Sequence, residues 1–138
     1  MLIHPSKSVN RPIYLVIVVL LGFSLLTACE PVPTIAHIDQ QTLVQRMQTG
    51  KAPLIIDVRS EKEYHSGHVA GAINIPYDHL VRFLTDVPAE ADDEIVLYCE
   101  NGVLADRAIE LLHKGGWNKL YHLNGNMKEW RKAGLPQG

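Results

Sequence analysis

"EIVLYCENGVLADRAIELLHKGG", residues 94–116, sets two periodicities back to back. Ile95, Val96, Leu97 and Tyr98 form an unbroken apolar run of the length expected for a buried strand. From Ala105 onward, Ile109, Leu111 and Leu112 fall at helical spacing, and Gly115-Gly116 supply a stop. Between the two lies Cys99-Glu100-Asn101-Gly102, where Asn101 and Gly102 favour a tight loop over a continued core element. The reading is strand, loop, then a helix starting near Ala105, with a thiol at the junction.

The same pattern extends outward in both directions. "IDQQTLVQRMQTGK" pairs an N-cap candidate, Asp39, with apolar Leu43, Val44 and Met47 and a stop at Gly50, which reads as a helix. "PLIIDV" is a buried strand ending at Asp57, and "AINIP" is a shorter one closed by Pro76. "YDHLVRFLTDV" carries Leu80, Val81 and Leu84 at helical spacing; "KLYHL" is a further strand and "NMKEWRKAG" a closing helix ended by Gly134. Short apolar strands alternating with helices predict an α/β domain, a small, mostly parallel sheet flanked by helices on both faces. There is no internal repeat and no low-complexity segment.

With 138 residues the chain is long enough for one ordinary domain, and 46% apolar against 20% charged residues describes a globular one. Residues 1–28 stand apart. "MLIHPSKSVNR" has Lys7 and Arg11 and no acid, and an apolar run from Ile13 to Leu26 follows. That run is shorter than the ~20 residues a membrane-crossing helix needs, and its layout is that of an export signal. "LTAC", Leu26 to Cys29, resembles the lipobox of bacterial lipoproteins, in which the cysteine is lipidated and becomes the first residue after cleavage. The expected organisation is a lipoprotein signal peptide over 1–28, a tether over 29–37 containing two prolines, and the folded domain over 38–138. At least two acyl chains on Cys29 would hold the protein to a membrane stably, where one would not. The expected location is the periplasmic face of a bacterial membrane or the outer cell surface.

Removing 1–28 leaves 11 Lys plus Arg against 15 Asp plus Glu. With this acidic balance and no basic patch interleaved with aromatics, nucleic acid is not an expected partner. Only two cysteines are present, and lipidation would occupy Cys29. Cys99 then has no disulfide partner in an oxidising compartment, so it reads as a reactive thiol, against the alternative of a small buried packing residue. In parallel sheets ligands bind beyond the carboxyl ends of the strands, where Cys99 falls. Free N–H groups at the following helix start can lower a thiol's pKa and cradle an anion.

Three segments carry a family resemblance. "IIDVRSEKEYHSGHVAGAINIP" (55–76) resembles the signature segment of rhodanese-like sulfurtransferases, "LYCENGVLADRA" (97–108) their active-site loop, and "GWNKLYHLNGNMKEW" (116–130) their closing strand and helix. The resemblance covers about Ile38 to Pro136 in the family's order. It implies a single-domain, lipid-anchored sulfurtransferase, expected to act as a monomer. Cys99 would take sulfane sulfur from a donor such as thiosulfate, hold it as a persulfide, and pass it to a thiol or cyanide acceptor. The N–H groups of Glu100, Asn101, Gly102, Val103 and Leu104 would form the substrate-binding cradle. Asp57 and Arg59 would support it structurally, with Arg59 pairing to acids such as Glu63, and no metal or organic cofactor is implied.

The departures from the family pattern carry their own expectations. Rhodanese loops commonly hold arginine between the cysteine and the helix, whereas this loop has Glu100 and places Leu104 where an arginine is common. Two negative charges ~6 Å apart repel by under 1 kcal/mol in water and several-fold more in a partly dry site. Glu100 therefore disfavours both a thiolate and a dianionic donor unless its side chain points to solvent, so weak thiosulfate turnover is expected. The alternative is a non-catalytic rhodanese-like binding or redox-sensing module. Phosphatase chemistry on this fold needs Cys-x5-Arg, but Ala105 stands six residues after Cys99 and the nearest arginine is Arg107. The family's glycine pair before the last helix is Gly125-Asn126 here, and Asn tolerates left-handed backbone. His65 and His68 read as hydrogen-bonding residues rather than metal ligands, Trp117 and Trp130 as core, and Asp106 as a solvated first-turn acid.

Overall fold

The computed structural model describes residues 34–138. The export segment read over 1–28, Cys29 and the start of the tether lie outside the described residues. Five strands form one sheet: β1 (Ala36–Ile38), β2 (Leu54–Asp57), β3 (Ile73–Asn74), β4 (Glu94–Tyr98) and β5 (Lys119–Leu123). They lie in the order β1-β5-β4-β2-β3, and every pairing is parallel. The helices are α1 (Gln40–Gln48), α2 (Glu61–His65), α3 (Tyr77–Arg82), α4 (Val103–Lys114) and α5 (Asn126–Lys132), with a 3-10 turn at Leu84–Asp86.

Side-chain alternation along β4 divides the core. Ile95, Leu97 and Cys99 point to one face and pack with Leu80 of α3 and Ala105, Ala108, Ile109 and Leu112 of α4. Val96 and Tyr98 point to the other and pack with Leu43 of α1 and Met127 and Trp130 of α5. Because helices cover both faces, β4 can be apolar throughout. Leu43, Trp130 and Leu112 are fully buried, each side chain contributing about 1.5–3 kcal/mol by leaving water.

Several expectations need correction. Ala36–Ile38, read as the end of the tether and the first residue of the domain, is the edge strand β1, in register with Tyr121–Leu123 of β5. α2 was not expected at all: none of its residues is buried, and it is held by a capping box in which Ser60 and Glu63 bond reciprocally. α4 begins at Val103 rather than near Ala105, so Val103 and Leu104 belong to its first turn. On α3, Leu80 is buried but Val81 is exposed. Asp39 does cap α1, its carboxylate accepting from the Thr42 N–H at 2.8 Å.

Candidate active site

β4 delivers Cys99 to the carboxyl end of the sheet, and only three residues separate it from α4. So short a connection needs a sharp reversal, which Gly102 supplies as N-cap with φ of 106°. A β-carbon there would also meet His122 Cε1 at 3.0 Å and Asn126 Nδ2 at 3.2 Å, so the position excludes side chains on two grounds. The turn brings the Gly102 N–H to 3.0 Å from Cys99 Sγ, with the sulfur as acceptor.

The expected cradle of five N–H groups is narrower than the sequence implied. Only Gly102 donates to the sulfur, while the Val103 N–H points to Asn101 Oδ1 at 3.5 Å. Among the described residues, the N–H groups of Glu100, Asn101 and Leu104 have no acceptor, so donors remain free around the loop and the start of α4. Cys99 is 2% exposed, its side chain among the apolar residues beneath α4. Asn101 and Val103 lie exposed at the rim, with Leu104 half-buried. An open cavity beside α2 and α3, lined in part by Tyr64, Asn74 and His79, does not include Cys99.

The charge expected to oppose the thiolate is already matched. Glu100 accepts from Arg131 Nη1 at 3.0 Å and Nη2 at 3.3 Å, and Arg59 Nη1 lies 3.4 Å away. Hydrogen bonding to Arg131, with the charges of Arg131 and Arg59, holds the Glu100 carboxyl below the usual range despite partial burial. Sequence reasoning missed Arg131 because it lies a helix, a strand and a loop downstream, 31 residues away. The loop has no arginine of its own, but α5 places one on its acid.

Arg59 does not pair with Glu63, which is committed to the α2 capping box. Its partner is Asp57: Nη2 reaches Oδ2 at 2.6 Å and Nε lies 3.0 Å from Oδ1, with the two side chains 2% and 0% exposed. Burial alone would lower the Arg59 pKa, but hydrogen bonding to Asp57 and its charge outweigh that and hold it above its ordinary value. Tyr98 donates its hydroxyl to Asp57 Oδ2 at 2.7 Å and accepts the Val69 N–H at 3.0 Å. Burial, then the neighbouring Asp57 charge, pushes the phenol well above its normal range, so Tyr98 stays a donor. Arg59 also donates to the Gly67 carbonyl at 2.8 Å. This buried network ties β2, β4 and the turn after α2 together beneath the loop.

On the other side, α5 grips the loop. Met127 N–H donates to the Cys99 carbonyl at 3.0 Å and Lys128 N–H to the Glu100 carbonyl at 3.2 Å. The Cys99 N–H donates to Asn126 Oδ1 at 3.0 Å. Asn126 Nδ2 lies 2.8 Å from His122 Nε2, and His122 Nδ1 lies 2.6 Å from Asp106 Oδ1. Asp106 is therefore half-exposed and engaged, not simply solvated. His122 was missed too, although alternation along "KLYHL" puts it on the same face as Leu120, toward α4. His68 hydrogen-bonds the Tyr64 carbonyl and stacks on the Tyr64 ring.

Residues 39–133, which contain this whole arrangement, match the family described as Rhodanese-like domain. The chain belongs to that family. Among related proteins, the uncharacterized protein YqhL of Bacillus subtilis is 38% identical over 76 residues, 55% of this chain and 59% of that one. An HTH-type transcriptional regulator of Mycobacterium tuberculosis is 38% identical over 72% of this chain and 43% of its own length. The tRNA uridine(34) hydroxylase of Escherichia coli is 31% identical over 72% of this chain and 29% of its own. The chain thus spans less than two thirds of each of these relatives. In three dimensions the rhodanese-like domain of the Anabaena Alr3790 protein aligns with TM-score 0.66 and 27% identity, covering 76% of this chain and 80% of that one. A thiosulfate sulfurtransferase of Pseudomonas aeruginosa aligns with the same TM-score and identity, over 75% of this chain and 20% of its own.

Proposed function

We infer that this rhodanese-like domain is a sulfurtransferase working through a persulfide on Cys99. The observation that supports it best is the Gly102 N–H directed at Sγ from 3.0 Å at the head of a twelve-residue helix. That donor and the helix end favour sulfur in its anionic form. The Cys99 thiolate attacks the outer sulfur of a sulfane donor; with thiosulfate, the S–S bond breaks and sulfite leaves with the bonding pair. The enzyme then holds Cys–S–S⁻. An acceptor thiolate attacks the terminal sulfur, leaves as a persulfide, and returns the Cys99 thiolate; cyanide in the same role leaves as thiocyanate. Dividing one transfer into two displacements is the benefit of a covalent intermediate. Free N–H groups at the loop can take the added negative charge of the outer sulfur.

The near-complete burial of Cys99 favours a second reading, a non-catalytic binding or redox-sensing module. Intact mass after exposure to thiosulfate, and separately to a polysulfide, decides between them. A gain of one sulfur atom that disappears in Cys99→Ser supports the transferase. No adduct from either donor supports the module. We also place the chain at a membrane through lipidated Cys29, following the lipobox-like "LTAC". Metabolic labelling with palmitate tests this: label absent from the native chain, or retained in Cys29→Ser, rejects it.

A further inference from the structure

We propose that Asn126 is a positioning residue for Cys99, held in its working orientation by a neutral His122 that carries its hydrogen on Nδ1. The inference deepens the sulfurtransferase reading by naming what fixes the backbone of its nucleophile. It follows from hydrogen-bond polarity. The Cys99 N–H can only donate, so the atom of Asn126 facing it at 3.0 Å must be the carboxamide oxygen. The carboxamide nitrogen then faces His122 Nε2 at 2.8 Å, and since that nitrogen can only donate, Nε2 must accept. The ring hydrogen therefore sits on Nδ1, which is 2.6 Å from Asp106 Oδ1 and donates to it. The four groups form one directed chain, from Cys99 N–H through Asn126 and His122 to Asp106, in which each bond polarises the next.

Independent features show that the arrangement is built. Asn126 is 5% exposed and His122 6%, and both would carry unsatisfied polar atoms without this chain. Asn126 is also the one non-glycine residue with positive φ among those described, at 51°. A glycine would take that backbone more easily, so the side chain has a use that offsets the strain. Gly102, whose N–H meets the sulfur, packs directly against the His122 and Asn126 side chains. The same unit thus fixes both backbone groups that frame Cys99.

The chain has a definite response to acid. Protonated Nε2 would set N–H against the Asn126 NH₂ at 2.8 Å. It could turn only to Oδ1, 3.2 Å away, and would then compete with the Cys99 N–H for one oxygen. Rotating the carboxamide instead would set its NH₂ against the Cys99 N–H. Either outcome loosens Cys99. The titratable groups facing His122 are Asp106 from α4 and His37 from β1, whose ring stacks on it at 5.1 Å; α5 presents the neutral Asn126 and the loop presents Gly102.

Long-range proton–nitrogen NMR of the full-length chain reads the tautomer directly, with His37→Gln used to separate the stacked ring. We expect the hydrogen on Nδ1, and a Cys99 amide resonance that moves with the midpoint of His122 titration. In Asn126→Gly, which keeps the backbone and removes the carboxamide, that coupling should vanish. Alkylation of Cys99 by iodoacetamide, followed by peptide mass so that Cys29 does not interfere, should slow by roughly three- to tenfold at neutral pH. Asn126→Asp keeps an acceptor for the Cys99 N–H, so its alkylation rate should stay nearer that of the native chain. A hydrogen on Nε2, a Cys99 amide indifferent to His122, or an unchanged alkylation rate in Asn126→Gly would overturn the proposal. None of these readouts uses a sulfur donor, so a failure to form persulfide would reject the transferase reading and leave this one standing.

Discussion

Glu100 shows how a single side chain changes meaning once its partner is in place. Alone beside a thiolate, it would repel both the nucleophile and an anionic donor. Bonded through two nitrogens to Arg131, with Arg59 behind it, it makes the loop close to neutral. Its removal does more than lift a repulsion, because it also frees Arg131, 47% exposed, to meet an incoming anion. Glu100→Ser should raise thiosulfate kcat/KM by about two- to fivefold, the scale of an exposed ion pair, and added salt should shrink the gain. Arg131→Ala should lower it by a similar factor. Steady-state rates with thiosulfate at two salt concentrations check both; an unchanged rate in Glu100→Ser would show that charge does not limit the site. The identity of the acid and the absence of a loop arginine were legible in "CENGVL". Its neutralisation was not, because a contact between residues 31 apart depends on how α5 docks against β4.

At the scale of elements, β2 and β4 were the most readable part, because each is built on a continuous apolar run, Leu54 to Ile56 and Ile95 to Tyr98, bounded by turn residues. β1 escaped notice since Ala36 and His37 are exposed and only Ile38 is buried, leaving three residues with no apolar run to read. α2 escaped because it buries nothing and depends on its cap. The start of α4 was placed two residues late for a related reason. Gly102 looks like a loop residue, yet it is the N-cap, and its positive φ lets the helix begin at once. That turn is also what aims an N–H at Cys99, so local geometry and chemistry coincide there. Gly102→Ala should cost about 1–2 kcal/mol from the backbone alone, with more from the contact to His122. Thermal unfolding should report the loss, and Cys99 alkylation at neutral pH should slow even under conditions where the variant is fully folded. A variant with wild-type stability and reactivity would mean that the turn tolerates a β-carbon.

Across the whole molecule, charge pairs join pieces that the sheet alone does not. The buried Asp57–Arg59 pair, with Tyr98 and the Gly67 carbonyl, fixes the turn after α2 to the centre of the sheet. Removing one partner leaves a buried charge, so Arg59→Met should destabilise by about 3–5 kcal/mol, while Asp57→Leu combined with Arg59→Met should recover much of it. Denaturant titration of the single and double variants tests this, and equal losses in both would reject the reading. Nearer the surface, Arg46 of α1 pairs with Glu94 at the start of β4, and Tyr121 of β5 reaches the same carboxylate at 3.4 Å. Hydrogen bonding to Arg46 lowers the Glu94 pKa, as Arg131 lowers that of Glu100. The sign follows from linkage. A carboxylate with a depressed folded-state pKa contributes stability above its unfolded value, near 4, and that contribution is lost as pH falls through the folded value. Tm should therefore be level through neutral pH with respect to these two groups and fall as pH drops below about 4. Both carboxylates are somewhat more than a third exposed, so each contribution is small and screened by salt. Glu94→Gln should begin from a lower Tm at neutral pH and lose less on acidification, so that its curve converges on that of the native chain. Parallel curves would show that the α1–β4 pair adds nothing to folding.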